Sequence, residues 1–246
     1  MDNDNIYDKI QEIFGTIPGN FSILEEQIDI NLQMEYFEFS RNYKKDNNPK
    51  EIIKKKDFIF RDNLSTEDKK TLLVQLASLD NVEAYRTIEK YLKNPDNELY
   101  EWAILAFQES RMLLESKFLD ENQVFISTGL GGKGSKLRYF LVLISNTGES
   151  FTEVQKKVIK NEFEITLKKY NAEIENVNFA ESFSTILIVV PLKVSIKDTF
   201  KEAINECNQF GNFLKPNFIV TNVKVLSTKE ISDFLEKQKF NNIFKE

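Results

Sequence analysis

Between Ser65 and Ser116 apolar residues recur every three or four positions. Leu72, Leu73, Leu76 and Leu79 follow the capping pair Ser65 and Asp68. Ala84, Tyr85, Ile88, Tyr91 and Leu92 fall within 82–93. Leu99, Trp102, Ala103, Leu105, Ala106, Leu113 and Leu114 fall within 98–116. That period places the apolar side chains on one side of a helix, so the pattern predicts three helices in succession. Polar turns at Asp80-Asn81 and Asn94–Asn97 separate them. Upstream, Ile6, Ile10, Ile13 and Phe14 predict a short helix over 4–14, ended by Gly15, Pro18 and Gly19. The stretch 22–45 fits two patterns. Ile28, Ile30, Leu32, Met34 and Tyr36 alternate as in a strand, while Leu24, Ile28, Leu32, Tyr36, Phe39 and Tyr43 form a helical stripe. Its length, its lack of Gly and Pro, and its early glutamates and late lysines favour a helix. Ser22 and Glu25 would cap it.

The period changes after Gly134. Leu137–Ile144 is an unbroken apolar run with Arg138 as its only charge, and Ser184–Pro191 is a second such run. Both predict buried strands. Residues 173–180 alternate as a half-exposed strand, and 218–226 predict another. Helices are predicted over 150–170, capped by Ser150 and Glu153, over 195–210, and from Ser227 onward, capped by Glu230. The order β-α-β-β-α-β is the ferredoxin-like split arrangement, with strand order 4-1-3-2. Its two central strands would be the two most apolar ones. The expected class is therefore α+β: a helical domain at 1–122 and a ferredoxin-like antiparallel sheet with helices on one face at 123–246. Both central strands are apolar on both sides, so the open face needs a cover. The helical domain, the last helix or a second copy of the chain would serve.

The helical part resembles a HEAT-type repeat over about residues 72–110. The likeness lies in Leu76-Ala77, the Asp80-Asn81 turn, Ala84, the Ile88 and Leu92 spacing, the Asn94–Asn97 turn, and Ala103 with Ala106. Small alanines let paired helices stack closely. The chain departs at Tyr100, where the repeat often carries an arginine. The resemblance covers about one repeat and implies a short helical layer with a protein-contacting surface, not a long solenoid.

Composition narrows the chemistry. There is no histidine and one cysteine in 246 residues. Imidazole-based triads, imidazole metal sites, structural zinc and an internal disulfide are thereby excluded. The start is acidic, with neither the basic nor the apolar region of a signal peptide, and no apolar run is long enough to span a bilayer. A cytoplasmic location without membrane partners is expected. The net charge of −6 divides unevenly. Residues 1–122 carry 16 basic and 25 acidic side chains, and residues 123–246 carry 17 and 14.

The candidate site is the loop Ser127–Lys136. Gly129, Gly131, Gly132 and Gly134 with Lys133, Ser135 and Lys136 could cradle an anion on exposed N–H groups or meet a partner. It is not a phosphate-binding P-loop, because Ser135-Lys136 inverts the expected order and the loop leads into a strand. A hinge or hairpin is the stronger expectation. A basic patch at Lys50, Lys54, Lys55 and Lys56 offers a phosphate-contacting surface, weighed against a merely solvated face. Gly148 lies where ACT-type sensing domains use a glycine, a weak signal because any tight turn wants Asn or Gly. Tyr139 and Phe140 stand on the first strand of the sheet, but the third has no aromatic to stack a base. Cys207 lies on an apolar helix stripe and reads as a structural thiol. The sequence thus leads to the expectation of a non-enzymatic interaction or adaptor protein that binds another protein or itself and needs no cofactor. The alternatives are an RNA- or ribosome-associated factor and an ACT-like sensor of a small molecule.

Overall fold

A computed structural model describes the chain at residues 21–43, 48–119 and 124–243, and its side chains as far as residue 237. The helix expected at 4–14 lies outside the described residues. The described residues form an α+β structure of two compact units, the first ending at Thr128 and the second beginning at Gly129.

The first unit opens with strand β1 (Phe21–Ile23), which pairs in parallel with β2 (Val124–Ile126). Ser22 therefore sits in a strand and is not a helix cap. Helix α1 (Ile30–Tyr43) starts later than the sequence predicts. Asp29 begins it: its Oδ1 accepts the Asn31 N–H at 2.8 Å and its carbonyl accepts the Gln33 N–H at 3.0 Å. Helix α2 (Pro49–Lys55) has Asn48 as cap and Pro49 in the first turn, where a missing N–H costs nothing. It tightens into a 3-10 turn at Lys56–Phe60. Three helices follow: α3 (Thr66–Ala77), α4 (Val82–Tyr91) and α5 (Tyr100–Leu119). Ser65 caps α3 and Asn81 caps α4, so those boundaries agree with the capping chemistry in the sequence.

Alanines at Ala77, Ala84, Ala103 and Ala106 are wholly buried, with Leu73, Leu76, Ile88 and Leu105 around them. Trp102 is the largest side chain of this core. Its ring meets the edges of Tyr36 and Phe39 at 5.1 and 5.4 Å, and its Nε1 donates to the Lys70 carbonyl at 3.3 Å. Glu109 accepts from the buried Tyr36 hydroxyl at 2.7 Å and from Ser40 at 3.0 Å. Those bonds supply the partner a buried hydroxyl requires.

The second unit is built on one antiparallel sheet. Its strands are β3 (Gly132–Lys133), β4 (Lys136–Ser145), β5 (Glu173–Phe179), β6 (Phe183–Pro191) and β7 (Leu214–Thr221). β4 lies between β6 and β7 and also pairs β3, while β5 pairs the far side of β6. The two longest and most apolar strands, β4 and β6, are therefore central. Helix α6 (Glu153–Lys169) follows β4, and α7 (Ile196–Asn208) follows β6. The α6 cap is a box made by Thr152 and Gln155, not the expected pair Ser150 and Glu153. β7 begins at Leu214, four residues before the predicted Phe218.

Strand parity assigns the faces. Phe218 lies opposite Leu143, and Phe218 meets Phe200 of α7 edge-on at 5.8 Å. Leu143 and its neighbours at period two thus face the α7 side. Phe140 and Val142 point the other way, into a cluster with Leu130, Phe183 and Ile231. Ile231 belongs to the last helix, α8 (Thr228–Ile243), whose Leu235 packs there too. The open face of the sheet is thus covered within the unit by α8, one of the three covers the apolar strands called for. Ile231 is only 1% exposed. Replacing it with alanine should lower the unfolding free energy by about 2–4 kcal/mol, the usual cost of truncating a buried isoleucine. Urea unfolding of I231A measures this, and a loss below about 1 kcal/mol would show that α8 does not seal the face.

Candidate functional site

The glycine loop is a set of backbone fits. Gly129 approaches the chain after β7 so closely that a Cβ would stand 1.8 Å from the Val223 carbonyl oxygen. Leu130 donates its N–H to the Asn222 carbonyl at 3.0 Å, which fastens the loop there. Gly131 and Gly134 have φ of 65° and 59°, a region that glycine enters without strain. Gly134 and Ser135 form the turn between β3 and β4, with Lys133 opposite Lys136. The hairpin is thus formed by Gly132–Lys133 and β4. Val124–Ile126 takes no part in it and pairs with β1 in the first unit.

The loop's cations meet carboxylates of edge strand β5. Lys133 and Lys136 both donate to Glu173, at 2.9 and 2.5 Å. Arg138 grips Glu175 with two nitrogens, at 2.5 and 3.0 Å, and donates to the Leu130 carbonyl at 2.6 Å. The hydrogen bonds from Lys136 and Lys133 hold Glu173 down at about 2, against an ordinary value of 4.5. The structure therefore brings Gly129, Gly131, Gly132, Lys133, Gly134, Ser135 and Lys136 together with two glutamates. The sequence signal for those partners was the alternation Glu173, Glu175 in β5, which puts charge on the sheet's edge.

The basic patch occupies α2 and the following 3-10 turn. Lys54 pairs with Glu51 at 3.0 Å, and Lys56 with Glu83 of α4 at 2.9 Å. Lys50 and Lys55 are exposed and have no acidic partner among the described residues. Packing sets aromatic rings against cations of this region. The Arg61 guanidinium lies 3.6 Å from the centre of the Phe58 ring. Lys90 reaches from α4 to 4.9 Å above Phe60, whose ring also tilts against Tyr91 at 6.2 Å. Phe60 is 39% exposed. The run from Lys54 to Arg61, three lysines followed by Phe58, Phe60 and Arg61, carries most of this signal in sequence. Lys90 arrives only through the fold.

Other candidates are placed as follows. Gly148 has φ of 77°, in a turn where Thr147 Oγ1 lies 3.2 Å from Ser145 Oγ. Burial pushes the Cys207 thiol up to about 12, with the Glu162 charge adding to it. Burial likewise pushes Tyr139 up to about 12. Tyr170 donates to Glu202 at 2.6 Å, which raises its own value. Among the described residues no group of three or more His, Cys, Asp and Glu is placed to hold a metal ion. No helix among them is long and apolar enough to cross a membrane.

Two outcomes test this geometry. Gly129→Ala must displace the Val223 backbone, so it should destabilise the fold by more than the ~0.5 kcal/mol typical of surface changes. A melting profile equal to that of the parent would contradict the close approach. Glu173 has a depressed value, so its contribution to stability is present above 4.5 and fades as pH falls toward about 2. Carboxylate NMR should place its midpoint near that value and show it rising in K136M. An unmoved midpoint would mean the ion pair does not form.

No family model and no curated protein matches this chain. Solved structures do match. One is titled a putative transposase from Deinococcus radiodurans; it shares 15% identity, with a TM-score of 0.38, over 44% of this chain and 94% of that one. Another is a REP-associated tyrosine transposase bound to a REP hairpin, at 14% identity and a TM-score of 0.31, over 39% of this chain and 61% of that one. These names overturn the expectation of a non-enzymatic protein-interaction adaptor, since both chains are called transposases and a transposase is an enzyme. The likeness itself is loose and assigns this chain no activity.

Proposed function

We propose that this protein binds single-stranded DNA on the surface formed by α2, the 3-10 turn and α4. The observation that supports the reading is the interleaving of aromatic faces and cations there. Phe58 and Phe60 are partly open rings, Arg61 and Lys90 lie over them, and Lys50 and Lys55 are exposed on the preceding helix α2. Rings of this kind stack bases without regard to sequence, and the cations follow the phosphates. Double-stranded DNA keeps its base faces stacked internally and would use only the charges. Stacking on these rings and ion pairing to phosphates need no 2′-hydroxyl, so a deoxyribose strand can use both. On this reading the helical unit is HEAT-like and lends its outer surface to the strand. The second unit is ferredoxin-like, as its strand order β7-β4-β6-β5 supports.

Fluorescence anisotropy with a labelled oligo-dT and an RNA of matching sequence tests the proposal. The DNA should bind at least as tightly as the RNA, and affinity should fall steeply with salt. Phe60→Ala should weaken binding about fivefold or more, within the ~1–3 kcal/mol carried by one stacked base. Lys54→Glu with Lys55→Glu should weaken it and flatten the salt dependence. No binding at low salt, or a Phe60→Ala protein that binds as well as the parent, would overturn the reading. Clear preference for the RNA would overturn its assignment to DNA.

A further inference from the structure

Behind the open ring of Phe60 lies a polar cluster that has no direct part in holding a strand. Lys69 of α3 is only 6% exposed. Its ammonium donates to Asp96 Oδ2 at 2.6 Å, and the Tyr91 hydroxyl donates to the same oxygen at 2.5 Å. The Asp96 N–H returns a bond to the Tyr91 hydroxyl oxygen at 3.3 Å. Tyr91 is buried at the end of α4, and Asp96 precedes the turn that leads into α5. The hydrogen bonds from Lys69 and then Tyr91 hold the Asp96 carboxyl below its ordinary value. Burial, and next the bond to Asp96, push the Tyr91 hydroxyl up, so it remains a donor.

A buried ammonium is costly to desolvate even when it is paired. What this pair adds is direction: Lys69 holds the Asp96 carboxylate where it receives Tyr91. Tyr91 in turn backs Phe60. The two rings stand 6.2 Å apart between centroids, tilted by 59°, within the range of interacting aromatic pairs. Lys90, the neighbour of Tyr91 on α4, lies 4.9 Å over the Phe60 ring. One end of α4 thus supplies both the backing of the ring and the cation above it. We propose that Asp96, acting through Tyr91, is a positioning residue for Phe60, fixing the ring in the attitude that receives a base. This rests on the strand-binding reading above. A ring held in place beforehand loses less freedom when a base stacks on it, so part of the affinity originates in the cluster behind it.

Fluorescence anisotropy with labelled oligo-dT, run as a double-mutant cycle on the full chain, tests this. Asp96→Asn and Tyr91→Phe keep the side-chain shapes and should each weaken binding about threefold. For Asp96→Asn the sign is informative, because removing a carboxylate near a strand of phosphates tightens binding if charge alone matters. In a Phe60→Ala background neither substitution should change affinity by more than about 1.5-fold, a result that general loosening of the fold does not give. Melting temperatures confirm folding, and should one variant fail to fold, the other carries the test. Binding as tight as the parent's by the folded variants, or an equal loss with and without the Phe60 ring, overturns the proposal and leaves the strand-binding surface standing. A Phe60→Ala protein that itself binds like the parent removes that surface, and this proposal with it.

Discussion

The burial of β4 is the constraint on which the second unit depends. Nine of its ten residues from Leu137 to Ser145 include only one charge, Arg138, and nearly all are closed to water. A strand of that kind cannot stand at an edge or face solvent on either side. The sheet answers with β6 and β7 flanking it, α7 against the Leu143 face, and α8 against Phe140 and Val142. Charge is then pushed to where β4 begins. Lys136 and Arg138 enter there and need carboxylates, which edge strand β5 supplies as Glu173 and Glu175. The same demand sets the glycine loop. The chain must pass under Val223 to put Leu130 into the α8 cluster, and only a residue without a Cβ fits at 129.

The first unit solves a different problem. Its helices are held close by buried alanines and by Trp102, and the rings of Phe39, Phe58 and Phe107 pack half-buried at the margin of that core. Phe58 and Phe60 sit on a short 3-10 turn, whose three-residue period cannot turn every ring of the segment toward one core. Ile59 is buried while Phe60 is partly open. Lysine and arginine stems then lie over the rings, a common way to shield aromatic surface while keeping the charge in water. The grouping of open rings and cations is thus a product of local geometry.

Much of this was legible in the sequence. Ser65, Asn81, Ser195 and Ser227 mark helix starts by chemistry that needs no tertiary context, and α3, α4, α7 and α8 begin there. The continuous apolar runs of β4 and β6 announced central strands. What failed did so for physical reasons. In 21–29 a strand and a loop precede the helix, because Phe21–Ile23 is captured by Val124–Ile126 from a hundred residues away, a pairing no local period encodes. The Thr152–Gln155 box lies two residues beyond the equally plausible Ser150–Glu153 pair, and burial of Phe151 decides between them. At the candidate sites, the lysines and glycines were visible. Their partners were not, because Lys90 comes to lie over Phe60 only in the fold.

The central claim is that the aromatic and cationic surface of the first unit engages a single DNA strand. Backbone and side-chain NMR shifts during titration with a short oligo-dT test it residue by residue. The account predicts that the largest changes fall on Phe58, Phe60, Arg61 and Lys90, with Lys50 and Lys55 following. Changes centred on the lysines of α6 and α7, or none at saturating strand concentration, would contradict it.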